Sequence, residues 1–270
     1  MSGFLQRMAR ASLARAEAAR RGVPAADLDR PIAPLVLAGF DLIAEIKPRS
    51  PAEGRLASGD GDLAGRATAY ADAGAAAVSV LTEPSEFGGA LSHLETVAAA
   101  LEHAAVPAMR KDFLVDPWQV VEARAAGASG VLLIAALHDE HGLETLVDRS
   151  FELGMFVLLE CFDETDIGRA AGLLDRDRYG SRAEAGELLI GVNARDLRTL
   201  AVDRGRLRAL APLLPERAVG VAESGLLDQH DAREAAACGY RMALVGTALM
   251  RAPDPGELIR RMLAAGREAA

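Results

Sequence analysis

Short aliphatic runs alternate along the chain with longer segments in which apolar residues recur at helical spacing. Eight such runs predict buried strands, at 42–47, 76–81, 107–111, 130–135, 155–160, 188–193, 218–223 and 242–246. The segments between them, such as 118–126, are rich in Ala, Leu, Arg and Glu. Strands separated by helices form parallel sheets through right-handed crossovers. The pattern therefore predicts an α/β protein with eight parallel strands.

Eight strand–helix units close naturally into a (β/α)8 TIM barrel, which typically needs about 250 residues. The chain has 270 residues, and no Pro-, Ser- or Gly-rich linker divides it. We expect one domain, 1–270, with a helical extension at 1–40, whose helix spans 4–21, and the barrel at 41–270. The alternative fold is a doubly wound open sheet, but no predicted strand is followed by the G-x-G-x-x-G of dinucleotide-binding sheets.

Composition and charge narrow the class of protein further. Half of the residues are hydrophobic but only 4% are aromatic, which suits aliphatic strands covered by Ala-rich helices. The formal net charge of −9 argues against a nucleic-acid partner, because binding to a phosphate backbone needs clustered Lys and Arg. No apolar run reaches the roughly 18–20 residues of a membrane span. Two distant cysteines, Cys161 and Cys238, favour a reducing compartment.

The N-terminal segment carries arginines at 7, 10, 15 and 20, a composition that resembles a transit peptide. Glu17 interrupts this pattern, and the apolar core of a secretory signal does not follow. We therefore expect an amphipathic helix that belongs to the folded protein, and a cytoplasmic enzyme. The oligomeric state stays open, with a monomer as one option.

Charged and amide side chains stand at five of the eight predicted strand ends. In a TIM barrel the active site lies at these carboxyl ends. Glu45 and Lys47 are two residues apart, so both face the same side of the first strand. We expect four further polar side chains to converge with them on one mouth: Lys111, Glu160, Asn193 and Glu223. Leu132 and Ile134, on the fourth strand, would supply an apolar wall for a flat ring.

The last two strands predict a phosphate site. They are followed by Ser224-Gly225 and end in Gly246-Thr247, where small residues let backbone N–H groups approach an anion. The loops after strands seven and eight are the usual phosphate site of this fold. We therefore predict that Ser224, Gly225, Gly246 and Thr247 bind the phosphate of a small-molecule substrate.

Other features predict no resident metal or cofactor. His138 and His141 flank two acidic residues, but no third ligand follows at a suitable spacing, so we interpret this segment as a helix N-terminus. The segment 48–61 is long and contains three glycines, which predicts a mobile lid over the mouth.

Six segments in chain order carry a family resemblance: 44–54 (AEIKPRSPAEG), 79–83 (SVLTE) with 87–89 (FGG), 110–113 (RKDF), 191–197 (GVNARDL), 222–225 (AESG) and 244–250 (LVGTALM). Together they resemble the indole-3-glycerol phosphate synthase family, from about residue 40 to 265. Five residues depart from the family's usual pattern: Pro48, Ala52, Cys161, Phe162 and Thr247. These departures leave open a duplicate copy that serves a specialised indole pathway.

The resemblance implies a ring closure with loss of carbon dioxide and water. The family converts 1-(2-carboxyphenylamino)-1-deoxyribulose 5-phosphate into indole-3-glycerol phosphate in tryptophan biosynthesis, without a cofactor. Lys111 is then the candidate general acid, Lys47 the group that holds the substrate carboxylate, and Glu160 the base of the dehydration. We expect partial burial and a second ammonium to lower the pKa of Lys111 toward the working range.

The remaining assignments concern orientation of the substrate. Glu45 would steady positive charge near the anilino nitrogen, and Asn193 and Glu223 would hold hydroxyls and the lysines. The substrate ring would lie among a set of mostly apolar residues: Pro51, Phe87, Phe113, Leu132 and Leu197. Ser50 and Arg195 are further candidates for binding the substrate.

Two other functions stay open at this point. Another phosphosugar barrel, such as a ketose-forming isomerase, usually works with a carboxylate pair, and the two strand-end lysines argue against it. A barrel that has lost catalysis and serves an assembly would lack a strand-end Lys or Glu, and none is missing from this sequence.

Overall fold

The computed structural model describes residues 3–20, 28–50, 54–56, 62–195, 201–203 and 205–270. Within these ranges eight parallel strands close into a barrel: β1 (Asp41–Ile46), β2 (Ala77–Leu81), β3 (Ala108–Lys111), β4 (Gly130–Ile134), β5 (Phe156–Cys161), β6 (Leu188–Asn193), β7 (Val219–Glu223) and β8 (Met242–Val245). Each strand pairs with its neighbours in chain order, and β8 pairs with β1 to close the ring.

Helices follow the strands and form the outer layer. The described helices are α1 (Gly3–Ala19), α2 (Leu63–Asp72), α3 (Leu91–Leu101), α4 (Pro117–Ala125), α5 (Glu140–Glu152), α6 (Glu164–Leu174), α7 (Asp177–Glu184), α8 (Gly205–Leu210), α9 (Gln229–Ala237), α10 (Thr247–Arg251) and α11 (Pro255–Ala269). The predicted (β/α)8 barrel and the extra N-terminal helix are therefore confirmed.

The boundaries of the predicted strands agree with the structure to within one residue at both ends. The clearest difference is at β1, which ends at Ile46, so that Lys47 lies just beyond the strand. The N-terminal helix begins and ends slightly before its predicted limits, at Gly3 and Ala19. Continuous aliphatic runs locate strands this well because both faces of a parallel barrel strand are buried.

Alternating side chains divide the core into two shells. Residues such as Ile43, Leu158 and Leu189 belong to the bore of the barrel, whereas their chain neighbours Leu42 and Leu159 pack outward against the helices. This period of two is the ordinary geometry of a strand. It also determines which strand-end residue points into the mouth and which points into the outer core.

Aspartates fix the starts of the helices close to the strand ends. Six described helices begin after an Asp whose side chain accepts a hydrogen bond from a backbone N–H of the first turn: Asp62, Asp116, Asp139, Asp163, Asp228 and Asp254. Such caps satisfy N–H groups that have no partner within the helix. The predicted helix start at His138–His141 corresponds to the Asp139 cap of α5.

Helix α1 packs beside the carboxyl ends of the strands. Phe4, Leu5 and Met8 are buried in the same cluster as the bore residues and Phe113. Ser12 Oγ accepts a hydrogen bond of 2.7 Å from Gln119 Nε2 at the start of α4. No helix in the described part of the chain is both long and apolar enough to span a membrane.

Candidate active site

A cavity of about 310 Å³ opens at the carboxyl ends of the barrel strands. Fifteen of the residues assigned from the sequence line it: Glu45, Lys47, Phe87, Lys111, Phe113, Leu132, Ile134, Glu160, Asn193, Arg195, Glu223, Ser224, Gly225, Gly246 and Thr247. They come from all parts of the barrel, and the closure of the sheet brings them together.

Lys111 lies between two carboxylates in the cavity. Its Nζ donates a hydrogen bond of 2.8 Å to Glu160 Oε2, and it lies 3.5 Å from Glu223 Oε2. Both carboxylate side chains are at most 2% exposed, and Lys111 is 16% exposed. The ammonium of Lys111 can therefore contact a ligand in the cavity while the two carboxylates compensate its charge.

The pKa of Lys111 differs from the sequence-based expectation. Burial disfavours its charged form, but the charges of Glu160, Glu223 and Glu45 prevail and raise the pKa of Lys111 above its ordinary value. The expectation of a lowered pKa was wrong because it counted burial and Lys47 and left out the carboxylates. Lys111 is therefore an ammonium at neutral pH.

The charged form of Glu223, in contrast to that of Lys111, is disfavoured by its surroundings. Burial and the neighbouring charge of Glu160 raise the pKa of Glu223 well above its ordinary value, although Lys111 acts in the other direction. Two carboxylates that share one ammonium do not both ionise easily. Glu223 therefore holds a proton more readily than an exposed carboxylate does.

A glycine of the bore makes room for Glu223. Gly191 lies on β6 two residues before Asn193, on the inward face. A Cβ added at Gly191 would lie 2.0 Å from Glu223 Oε1 and 3.1 Å from Leu158 Cδ1. The carboxylate of Glu223 thus occupies space that any other residue at 191 would fill.

Lys47 and Glu45 form a second ammonium–carboxylate pair, with Nζ and Oε1 2.6 Å apart. Both side chains are largely buried, as the same-face prediction required. A Cβ at Gly246 would lie 2.1 Å from Glu45 Oε1 and 2.9 Å from Lys47 Nζ. Gly246 therefore gives this pair its place, in addition to its assignment to the phosphate.

Asn193 is oriented by the loop that follows β6. Its side-chain Oδ1 accepts a hydrogen bond of 2.8 Å from the backbone N–H of Arg195. Arg195 in turn forms an isolated antiparallel bridge with Val202. This hydrogen bond fixes the side chain of Asn193, which lines the cavity.

Aromatic and aliphatic side chains form the apolar side of the cavity. The rings of Phe87 and Phe113 lie with their centroids 6.1 Å apart. Leu132 and Ile134 of β4 are buried in the same cluster. This wall offers a surface on which a flat apolar group can pack away from water.

At the other side, the chain turns sharply after β7. Ser224 and Gly225 both have positive φ, at +66° and +81°. A non-glycine residue in this region costs on the order of 1–3 kcal/mol and is held there by its surroundings. Thr247 is the first residue of α10, so its hydroxyl and the turn at Ser224 both border the predicted phosphate site.

Three assigned residues stand apart from this set. Ser50 is buried but does not line the cavity, and it pairs with Gly54 in a short antiparallel ladder. Pro51 and Leu197 lie outside the described residues, as does most of the predicted lid at 48–61. Their assignments stay predictions.

The cavity also has lining residues that the sequence analysis did not assign: Leu81, Asp112, Val202, Leu226, Leu227, Leu244 and Val245. Period-two alternation could have found Leu81 and Leu244, because each is in phase with an inward-facing residue of its strand. Val202 had no such signal, since it lies in a loop.

His138 lies outside the cavity lining and has a structural effect. Burial lowers the pKa of its ring to about 4, against a hydrogen bond to the backbone of Leu114 that acts to raise it. Among the described residues, no group of three or more His, Cys, Asp or Glu side chains is arranged to hold a metal ion.

We expect His138 to make the folded protein acid-sensitive. With a folded pKa of about 4 and an unfolded value of about 6.5, the unfolded state binds the extra proton first as the pH falls. The free energy of unfolding should drop by about 2 kcal/mol between pH 7 and pH 5 from this residue alone. Urea unfolding at both pH values should show a smaller drop in H138Q, and H141Q, at an exposed neighbour, should behave as wild type. An unchanged drop in H138Q would contradict this account.

The sequence comparisons point to one family. A family model described as indole-3-glycerol phosphate synthase matches residues 6–262. The chain is 45% identical over 240 residues to an indole-3-glycerol phosphate synthase of Nocardioides sp., covering 88% of this chain and 86% of the relative. It is 41% identical over 262 residues to indole-3-glycerol phosphate synthase 1 of Streptomyces coelicolor, covering 97% and 90%.

Similar solved structures agree on the fold alone. A 3-hexulose-6-phosphate synthase from Salmonella typhimurium superimposes with a TM-score of 0.61 at 14% identity, covering 85% of this chain and 100% of the other. A thiamine phosphate pyrophosphorylase from Pyrococcus furiosus gives a TM-score of 0.57 at 15% identity, covering 85% and 96%. The assignment to a family rests on the match to the family model and on the two sequence relatives. On these grounds the chain belongs to the indole-3-glycerol phosphate synthase family.

Proposed function

We propose that the protein converts 1-(2-carboxyphenylamino)-1-deoxyribulose 5-phosphate into indole-3-glycerol phosphate, carbon dioxide and water. The observation that carries this proposal is the pair of ammonium–carboxylate contacts in one cavity, Lys111 with Glu160 and Lys47 with Glu45. The substrate carries a carboxylate, a ketone, an aromatic ring and a phosphate. The cavity offers a matching group for each of them.

Ring closure begins with protonation of the ketone. The ring carbon that bears the carboxylate attacks the ketone carbon, and Lys111 donates a proton to the ketone oxygen as the new bond forms. Lys111 keeps this proton at neutral pH because three carboxylates stabilise its ammonium form. Its acidity as a donor rises when substrate contacts replace the carboxylate contacts in the enzyme–substrate complex.

Decarboxylation restores the aromatic ring, because the electrons of the broken carbon–carbon bond return to it as carbon dioxide leaves. Lys47 holds the carboxylate before this step, and Glu45 compensates positive charge near the anilino nitrogen. Their 2.6 Å contact keeps both groups in place until the substrate arrives.

Dehydration completes the indole. Glu160 accepts a proton from the carbon next to the nitrogen, and the hydroxyl leaves as water with a proton from Lys47. Glu160 is fixed by Lys111, at 2.8 Å. Asn193 and Glu223 hold the sugar hydroxyls and the lysine in position for both proton transfers.

Positioning of the substrate contributes further to the rate acceleration. Phe87, Phe113 and Leu132 hold the ring on the apolar side of the cavity, while the turn at Ser224 and Thr247 holds the phosphate on the other. A substrate fixed at both ends brings the ring carbon close to the ketone, and such preorganisation supplies several kcal/mol in well-oriented reactions.

The direct test uses purified protein and the carboxyphenylamino substrate, with the fluorescence of the indole product as the signal. Saturable formation of the product is expected. If a folded preparation forms no indole-3-glycerol phosphate, the proposed function is refuted even though the chain belongs to the family.

The phosphate assignment has its own test in Thr247→Asp. The new carboxylate would repel the phosphate at close range, so KM should rise by about tenfold or more while kcat changes less. Steady-state kinetics give both constants, and Thr247→Ser, which keeps the hydroxyl, is the matched control. An unchanged KM in T247D would count against a phosphate at this end of the cavity.

A further inference from the structure

Arg15 of helix α1 connects two buried carboxylates beside the cavity. Its Nη2 donates a hydrogen bond of 2.7 Å to Asp112 Oδ1, and its Nη1 lies 3.6 Å from Glu83 Oε1. The carboxylate side chains are at most 1% exposed, while that of Arg15 is 29% exposed. A guanidinium can serve two anions at once because its donors spread over a planar fork.

Asp112 fixes the backbone that carries one ring of the apolar wall. Its Oδ1 accepts a hydrogen bond of 2.8 Å from the backbone N–H of Phe113, and its Oδ2 accepts one of 2.8 Å from Thr82 Oγ1. Arg110 adds a contact of 3.2 Å to the same Oδ2. Asp112 directly follows Lys111, so its orientation also bears on the end of β3.

Glu83 does the same for the other ring. Its carboxylate accepts hydrogen bonds from the backbone N–H groups of Ser85, Glu86 and Phe87, at 2.9, 2.7 and 3.2 Å. These contacts set the course of the loop after β2 and thus the place of the Phe87 ring. Each carboxylate that Arg15 contacts therefore organises one aromatic side chain of the cavity.

The same helix supports the wall from behind. The ring of Phe4 meets that of Phe113 edge-on, with centroids 6.0 Å apart and planes at 73°. Phe4 does not line the cavity. Helix α1 thus touches the wall through a ring contact and through the two ionic contacts of Arg15.

We propose that Arg15 is a positioning residue for the aromatic-ring subsite. It holds two loops against helix α1: the loop after β2, which carries Phe87, and the loop after β3, which carries Phe113. This inference rests on the proposed function, in which that subsite receives the carboxyphenyl ring. Arg15 acts through Asp112 and Glu83 and does not touch the ring itself.

The test compares Arg15→Met, Arg15→Lys and Arg20→Met with wild type. Arg20 follows α1 and pairs with Asp116, the cap of α4 in the loop that carries Phe113, so R20M removes an ionic contact to that loop and leaves both contacts of Arg15 in place. We expect KM of R15M to rise about tenfold with kcat lowered less, partial recovery in R15K, and wild-type constants in R20M. Equal changes in R15M and R20M, or a fall in kcat alone, would overturn the proposal.

A binding measurement separates this inference from the proposed function. Titration calorimetry with indole and with inorganic phosphate needs no turnover, and far-UV circular dichroism checks that each variant is folded. We expect the Kd for indole to rise about tenfold in R15M while the Kd for phosphate stays at the wild-type value. Equal weakening of both ligands, or of neither, would overturn the inference even if the enzyme assay succeeds.

Discussion

Lys111→Ala should lower kcat by about a hundredfold or more, the range in which general acid–base groups contribute. The ketone oxygen would lose its proton donor at the moment when the ring carbon attacks, and Glu160 would lose the ammonium 2.8 Å away. Steady-state kinetics with the carboxyphenylamino substrate measure the effect. Turnover close to wild type would refute the role of Lys111.

Lys111→Arg separates the charge from the proton. A guanidinium can replace the ionic contacts with Glu160 and Glu223, but it does not give up its proton in proteins. K111R is therefore expected to be more stable than K111A and similarly inactive. If K111R were to regain most of the activity, charge compensation would be the function of Lys111 and the acid would lie elsewhere.

Gly191→Ala is expected to lower kcat/KM by about a hundredfold although the new methyl group reaches no substrate. The added Cβ would lie 2.0 Å from Glu223 Oε1, so the carboxylate must leave its place 3.5 Å from Lys111. A displacement of about 1 Å in a catalytic arrangement costs this much. The carboxylate is the end of a flexible side chain, so the barrel itself should stay folded.

Gly168→Ala is the matched control, because a Cβ at Gly168 of α6 meets no atom within 4 Å. G168A should keep wild-type kinetics and gain roughly 0.5–1 kcal/mol from its helical position. The double variant G191A/E223Q should be no slower than the slower single variant, since both act on one group. Independent, multiplying effects would show that Gly191 acts through something other than Glu223.

The sequence predicted the barrel and most of its mouth because both follow from short-range rules. Aliphatic runs identify strands that are buried on both faces, and parallel closure then brings their carboxyl ends together. Glu45 and Lys47, two residues apart, face the same side as period two requires. These rules and the family motifs were sufficient to predict that Lys111 and Glu160 lie in one cavity.

The properties that the sequence did not predict depend on distances between segments far apart in the chain. The pKa of Lys111 depends on Glu160 and Glu223, 49 and 112 residues away, and the net direction follows only from their contacts. Arg15 meets Asp112 across 97 residues. Helix α1 was predicted, but nothing in its amphipathic pattern indicates which strand ends it touches.

The buried cluster of Lys111, Glu160 and Glu223 also sets a limit on heat resistance. Taking charges out of water carries a large desolvation penalty, and well-packed hydrocarbon side chains in such places often leave a protein equally or more robust. Evolution in the laboratory toward a higher melting temperature, with no demand for turnover, would therefore tend to replace these three residues first. Where these three residues are retained during evolution, selection for the enzyme's product is what maintains them.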